Sequence, residues 1–230
     1  MAQGQRIERL GLVAGILAIP ALVVGLYLST VWAPPDAMMG NVQRIMYVHF
    51  PSWIATAIAY LTAFVCSIAY LIGRRPTMDY LAHAGVEVGV LFNITGLITG
   101  SIWGRPTWGV WWTWDARLTT TALMLVIFLG YLAIRAFLED PEGRARIAAL
   151  VATIGFLNLP IVYYSVRWWR TLHQPQSSPE TVDPQIVVAL RVMFVAFALL
   201  AAYLISRRYA LARLEGERER VELQPEAQGG

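Results

Sequence analysis

The sequence predicts an all-α integral membrane protein, a bundle of six transmembrane helices with the N- and C-termini on the cytoplasmic side, and three observations carry that prediction. First, 57% of the 230 residues are hydrophobic and 14% are charged, with a mean hydropathy of +0.52, too apolar for a soluble domain of this length. Second, six charge-poor runs recur: 10–35, 45–73, 80–104 interrupted only by Glu87, 118–134, 147–166, and 184–206 interrupted only by Arg191. Each approaches the ~20 residues that cross a hydrocarbon core, the fourth lying near the lower limit of about 17. Third, all 18 basic residues are arginine, and threading the chain inward-first leaves twelve of them on the inner side and five (Arg44, Arg105, Arg117, Arg167, Arg170) on the outer. That bias sets the orientation.

The runs give the elements in order. The first follows Arg6 and Arg9 and is longer than the apolar core of a signal peptide, and "STVWAPPDAMM" offers no small-x-small cleavage site, so it is expected to stay as a span. The second is expected to begin at about Pro51, since proline suits the first turn of a helix. The fourth is expected to begin near Arg117, with Asp115 ahead of it as a cap or as a partner orienting Arg117. No repeat period appears. Residues 1–206 therefore form one membrane domain, and 207–230, "RRYALARLEGERERVELQPEAQGG", form a charged cytoplasmic tail, helical at first and frayed at its Gly-Gly end.

Several chemistries are excluded by count. Cys66 is the only cysteine and lies inside the second run, so no disulfide, Cys-x-x-Cys pair or thiolate cluster can form within the chain. No Gly-rich nucleotide loop is present, and no nucleophile motif marks an enzyme. The bilayer is the partner that the composition demands, and no nucleic acid is expected. Asn93-Ile94-Thr95 matches a glycosylation pattern but falls inside a span.

Five of the nine tryptophans, Trp103, Trp108, Trp111, Trp112 and Trp114, fall in the outer loop 103–117, "WGRPTWGVWWTWDAR". An interfacial belt spreads its indoles over both ends of many helices, as Trp32 and Trp53 do. A cluster in one loop argues instead for a large, flat, apolar ligand. The same surface receives His49 from the first outer loop and His173 from the third, two of the three histidines. His83 stands on the inner side, at i,i+4 spacing from Glu87. Neutral imidazoles are metal ligands, and guanidiniums form forked hydrogen bonds to carboxylates. A planar ring with a central metal and two carboxylates would use the indoles, His49 and His173 as axial ligands, and Arg44, Arg105, Arg117 and Arg170. Haem, bound non-covalently as haem b, is that ligand.

Trp103-Gly104 through Trp108-Gly109, then Trp111-Trp112, Trp114-Asp115 and Arg117, resemble the tryptophan-rich WWD signature of membrane haem-handling proteins in cytochrome c maturation, and the length and six spans resemble the haem exporter protein C family. The resemblance runs from about Val31 to about Ser206. It implies that haem is held at the periplasmic face of the inner membrane by His49, in "RIMYVH" with Arg44 five positions before it, and by His173, with Arg117 as the signature arginine. It also implies delivery to a membrane-anchored periplasmic haem chaperone, with ABC-type transporter subunits and a small single-span subunit as further partners.

Two rival readings have sequence features of their own. A cytochrome b type electron-transfer subunit needs facing histidines at mid-membrane, and none is offered. A transporter of haem or another solute draws on the intramembrane set Glu87, Asn93 and Arg191. Helical rise separates Glu87 and Arg191 by more than ~10 Å in depth, so they are not expected to pair; Glu87 is expected to snorkel, and Arg191 to reach a propionate from the outer end of the last span.

Overall fold

A computed structural model describes residues 2–173 and 182–228, and every regular element among them is helical. The α-helices are α1 (Ala2–Tyr27), α2 (Met46–Gly73), α3 (Pro76–Trp108), α4 (Ala116–Phe137), α5 (Pro141–Phe156), α6 (Asn158–Trp168) and α7 (Pro184–Gln228). Taken with their short extensions they make six stretches long and apolar enough to cross a membrane, α5 and α6 together forming the fifth.

Local chemistry sets the boundaries. α1 widens into a π turn at Leu28–Trp32, and Pro34-Pro35 end it by forcing Ala33 into extended backbone. A one-turn 3-10 segment, Asn41–Ile45, leads without a break into α2. The second helix thus starts well before Pro51, which lies inside it; this corrects the sequence expectation and places His49 within the first turn of α2 rather than ahead of it. α3 runs on to Trp108 despite Pro106, because that proline sits in the last turn, and it stops at Gly109, whose φ of +79° is a left-handed C-cap open to glycine. Trp103 and Trp108 are therefore helical, and only 109–115 is loop. Asp115 caps α4 by accepting from the Leu118 N–H at 2.8 Å. The fifth span breaks at Leu157: Pro160 has no N–H to return to the preceding turn, while the Asn158 side chain donates to the Thr120 carbonyl at 2.7 Å.

α2 and α3 form the centre, with α1 and α7 on one side and α4 and α5 on the other. Small residues allow the close approaches, as in other membrane bundles. A Cβ on Gly85 of α3 would stand 2.7 Å from the Ala59 carbonyl oxygen of α2, and one on Gly15 of α1 would meet the Tyr203 ring of α7. On the other flank Tyr60 stacks on Phe128, with ring centroids 3.7 Å apart. Outward faces are apolar, with Leu12, Ile16 and Val23 on α1 and Val126 on α4 exposed, as a lipid-facing surface requires.

Residues 207–222 do not leave the bundle as a solvated tail. They continue α7, burying Tyr209 and Ala212, and Arg213 pairs with Glu8 at 3.1 Å while Arg144 pairs with Glu219 at 2.6 Å. Gly229 and Gly230, the end expected to fray, lie outside the described residues.

The two ends of the bundle differ in chemistry. One, the arginine end, gathers both termini's helices with the α2–α3 and α4–α5 turns. The other, the aromatic end, gathers the α1–α2 connection, the 109–115 loop and the α6 terminus.

Candidate functional site at the aromatic end

Three glycines one turn apart, Gly96, Gly100 and Gly104, leave one face of α3 bare. Into that bare face fit Trp53, His49 and Trp108: a Cβ at Gly96 would lie 2.8 Å from the Trp53 indole, one at Gly100 2.9 Å from His49 Cε1, and one at Gly104 3.3 Å from the Trp108 ring. His49 is 7% exposed, enclosed by Phe50, Trp53 and Trp103, the last with its ring centroid 5.7 Å away. Its Nδ1 is 3.1 Å from the Thr99 hydroxyl, and its Nε2 accepts from the Trp53 indole N–H at 3.2 Å.

His173 reaches the same region from beyond α6. It packs edge-on against Trp108, centroids 4.9 Å apart, and its Nδ1 faces Asp115 Oδ2 at 3.4 Å. That carboxylate oxygen also accepts from the Thr171 hydroxyl at 2.5 Å and the Leu172 N–H at 3.2 Å. Asp115 thus serves as a cap and as an anchor for the His173 segment; the partner it positions is His173, not Arg117. Burial by itself raises the Asp115 pKa, but the Leu118 N–H and the Thr171 hydroxyl outweigh it and hold the carboxyl below its ordinary value. For His173 burial dominates; together with the nearby Arg117 cation it lowers the imidazole's pKa against the opposing pull of Asp115. A neutral imidazole results, with its lone pair available.

Arg117 stands close enough to both histidines for its charge to act on each. Its Nη2 donates to the Tyr163 carbonyl at 3.2 Å, while its Nε is buried with no partner among the described residues, as are the indole N–H groups of Trp103 and Trp112. A buried N–H without an acceptor costs roughly 1–3 kcal/mol. Three such donors beside two imidazoles fit a ligand that brings anionic oxygens. Among the described residues, the crevice between Gly100, Gly104, Trp108, Trp111, Trp112 and Leu118 holds only about 10 Å³, against several hundred for a typical ligand pocket. A flat ligand must lie on the outer surface, where Trp111 and Trp114 are 58% and 80% exposed and edge-to-face contact joins Trp112 to Trp114.

Of the residues that the sequence singles out, His49 meets Trp103, His173 meets Trp108 and Asp115, Arg117 lies near both imidazoles, and Trp112 lines one crevice with Trp108. Of the other four arginines expected at the site, two are committed to nearby backbone and two are exposed. Arg44 donates from all three guanidinium nitrogens, to the Ser29 and Ala33 carbonyls and to the Asn41 side chain, tying the 3-10 turn to the end of α1. Arg105 donates to the Gly109 carbonyl and secures the C-cap of α3. Arg170 is exposed, and Arg191, exposed in the second turn of α7, makes no hydrogen bond or ion pair among the described residues.

Two members of the intramembrane polar set that suggested a passage are engaged within the bundle. Glu87 receives a forked pair of hydrogen bonds from Arg208 and also meets His83 at 3.0 Å, so it is paired rather than snorkelling. Asn93 is buried against the Tyr60 hydroxyl at 3.4 Å.

Sequence reasoning missed Trp53, Thr99, Thr171 and the glycine face. All but Thr99 had a signal: His49 and Trp53 are i,i+4 neighbours, Gly96-x-x-x-Gly100-x-x-x-Gly104 is a small-residue packing pattern, and Thr171 lies two positions from His173.

No group of three or more His, Cys, Asp or Glu side chains able to hold a bare metal ion occurs among the described residues. Two imidazoles alone are the complement of an iron already held by a macrocycle, whose axial positions are all that remain.

Comparison with known proteins agrees over nearly the whole chain. The family model described as Heme exporter protein C matches residues 4–224. The chain is 39% identical over 183 residues to the Heme exporter protein C of Bradyrhizobium diazoefficiens, covering 78% of this chain and 69% of that protein. It is 36% identical over 190 residues to that of Escherichia coli K12, covering 82% and 78%, and 33% identical over 208 residues to that of Haemophilus influenzae, covering 89% and 85%. By the extent of the match and these identities, the chain belongs to the Heme exporter protein C family.

Proposed function

We propose that the aromatic end is a periplasmic haem site from which haem is delivered for the assembly of c-type cytochromes. The observation that carries this reading is the convergence of His49 and His173, brought from separate elements, around Arg117 and two indoles whose N–H groups are unspent. The names of the relatives and the WWD-like signature support haem as the cargo. The arginine bias supports placing the termini in the cytoplasm and the aromatic end outside the inner membrane.

The roles divide as follows. His49 and His173 supply the axial nitrogens. Trp103, Trp108, Trp111, Trp112 and Trp114 cover the ring, and Arg117 takes a propionate, with Arg170 at the exposed edge. Arg44 and Arg105 act through the backbone they hold, and Arg191 offers a charge at the start of α7. Haem b, bound non-covalently, brings an iron with two open axial positions and a vinyl edge left outward. Because Trp111 and Trp114 hold the ring's outer edge at the surface, a membrane-anchored chaperone can reach that edge, and the exposed Trp111, Trp114, Trp168 and Trp169 form the docking face. ABC-type transporter subunits and a small single-span subunit complete the proposed assembly, in which this chain binds and transfers rather than catalyses.

The test is the visible spectrum of the protein purified in detergent from haem-replete cells, beside His49→Ala and His173→Ala. A six-coordinate low-spin spectrum in the parent, altered or lost in both variants, is expected. A colourless parent, or variants with an unchanged spectrum, would sink the assignment.

A further inference from the structure

The two histidines are equipped differently behind the ring. At His49 the Thr99 hydroxyl donates its own proton along α3 to the Thr95 carbonyl at 2.7 Å. Its oxygen is then an acceptor for the His49 Nδ1–H, which leaves the lone pair on Nε2. That lone pair is occupied, for the Trp53 indole, a donor only, points at it from one helical turn away. At His173 Nδ1 faces the Asp115 carboxylate and the Thr171 hydroxyl, each at 3.4 Å, and that hydroxyl itself donates to the carboxylate, which the Leu118 and Leu172 N–H groups also fix. No hydrogen bond to His173 Nε2 occurs among the described residues.

A carboxylate behind an imidazole makes it a stronger ligand than a hydroxyl does, because it draws the Nδ1 proton and raises electron density at the metal-binding nitrogen. A hydroxyl whose proton is committed elsewhere fixes the tautomer and adds little more. His49 also has an alternative partner that must be displaced before it can ligate and that returns when ligation ends. Its free state is hydrogen-bonded, which lowers the cost of letting go.

We propose that the two axial ligands are unequal by construction: His173, backed by Asp115, is the retaining ligand, and His49, backed by Thr99 and competed for by Trp53, is the one that opens first at handover. The inference rests on the haem reading above. In the opening step the bond between iron and His49 Nε2 breaks, the nitrogen keeps its lone pair, and the Trp53 N–H takes it up. No proton or electron is transferred, and the iron, held by His173 alone, would be free to take a partner's ligand. Trp53 and Thr99 are positioning residues, acting only through His49.

The experiment uses full-length haem-loaded protein in detergent and follows haem loss to excess apomyoglobin for the parent, Trp53→Phe, Asp115→Asn, His49→Ala and His49→Ala/Trp53→Phe. Removing one competing hydrogen bond should slow loss about threefold to tenfold in Trp53→Phe. The same substitution should have no effect in the His49→Ala background, and Asp115→Asn should speed loss. In the haem-free protein, 15N-labelled histidine should read His49 as the Nδ1–H tautomer, and Thr99→Val should shift it towards Nε2–H, a readout independent of how Trp53→Phe folds. Loss unchanged or faster in Trp53→Phe, an equal effect with and without His49, or the opposite tautomer would overturn the proposal while leaving the haem site standing. A low-spin spectrum unchanged in His49→Ala would instead remove the haem reading, and the inference with it.

Discussion

The same helices finish in opposite ways at their two ends. At the arginine end charges are matched across helices: Arg135 forks onto Asp79 at 2.6 and 3.0 Å, Glu87 is held by Arg208 and His83, and Arg144 meets Glu219, around a cavity of about 580 Å³. At the aromatic end the buried N–H groups of Trp103, Trp112 and Arg117 lack acceptors among the described residues and indoles stand in the open, whereas the unpaired buried atoms at the arginine end include neutral hydroxyls, those of Ser67 and Ser206. Satisfied polar groups stabilise a fold, whereas unsatisfied ones in a native structure call for a ligand. The contrast separates the part of the molecule that holds it together from the part that is reserved.

Substitutions at the two ends should therefore fail differently. The largest effect is expected for Arg135→Ala, which strands the buried Asp79 carboxylate; a loss of about 3–5 kcal/mol is expected, read as a lowered unfolding temperature in detergent. The folded fraction should keep its haem spectrum, and a selective loss of haem with unchanged stability would break the division. Arg117→Leu should do the reverse. Losing one charge-assisted contact should weaken haem binding about tenfold to a hundredfold, with the unfolding temperature nearly unmoved; equal affinity would leave the arginine without its assigned role.

Gly100→Ala tests the bare face of α3. A methyl group 2.9 Å from His49 Cε1 must push the imidazole aside, and a drop of about threefold to tenfold in haem affinity is expected, with the low-spin fraction falling in step. Retention of the full low-spin signal would mean that the ring has room that the packing denies. The smallest effect concerns pH. Because the His173 pKa is lowered, its neutral form is complete above the ordinary imidazole value of about 6.5 and is lost only as pH falls through a lower one. In the haem-free protein, an NMR titration of the His173 ring should accordingly show a midpoint below about 6.5, and a midpoint at or above that value would contradict the burial-dominated account.

Much of this was legible in the residues. Long apolar runs are a direct readout of the bilayer, so the six spans and their order follow from composition alone. The boundaries were less accessible, because capping is decided by single residues in context. Pro51 resembles a helix start, yet the 3-10 turn at Asn41–Ile45 feeds the helix from before it; Pro106 resembles a stop, yet Gly109 supplies the terminus. His49, His173, Asp115 and Arg117 could be named because indoles, imidazoles and guanidiniums in one loop set have few joint uses. The commitments of individual side chains were not accessible. Whether Arg44 faces a ligand or the Ser29 carbonyl depends on a contact fifteen residues away, and the meeting of His49 with Thr99 depends on which face of α2 turns towards α3.

α7 also acts as a ruler. At ~1.5 Å per residue its 45 residues extend about 68 Å, more than twice the ~30 Å hydrocarbon thickness. Starting at Pro184, the helix is long enough to cross the bilayer and reach beyond the headgroups, and residues 207–222 stay braced on the bundle by the buried Tyr209 and Ala212 and by pairs to Glu87, Glu8 and Arg144. Whatever meets that end therefore meets a rigid strut and not a flexible tether.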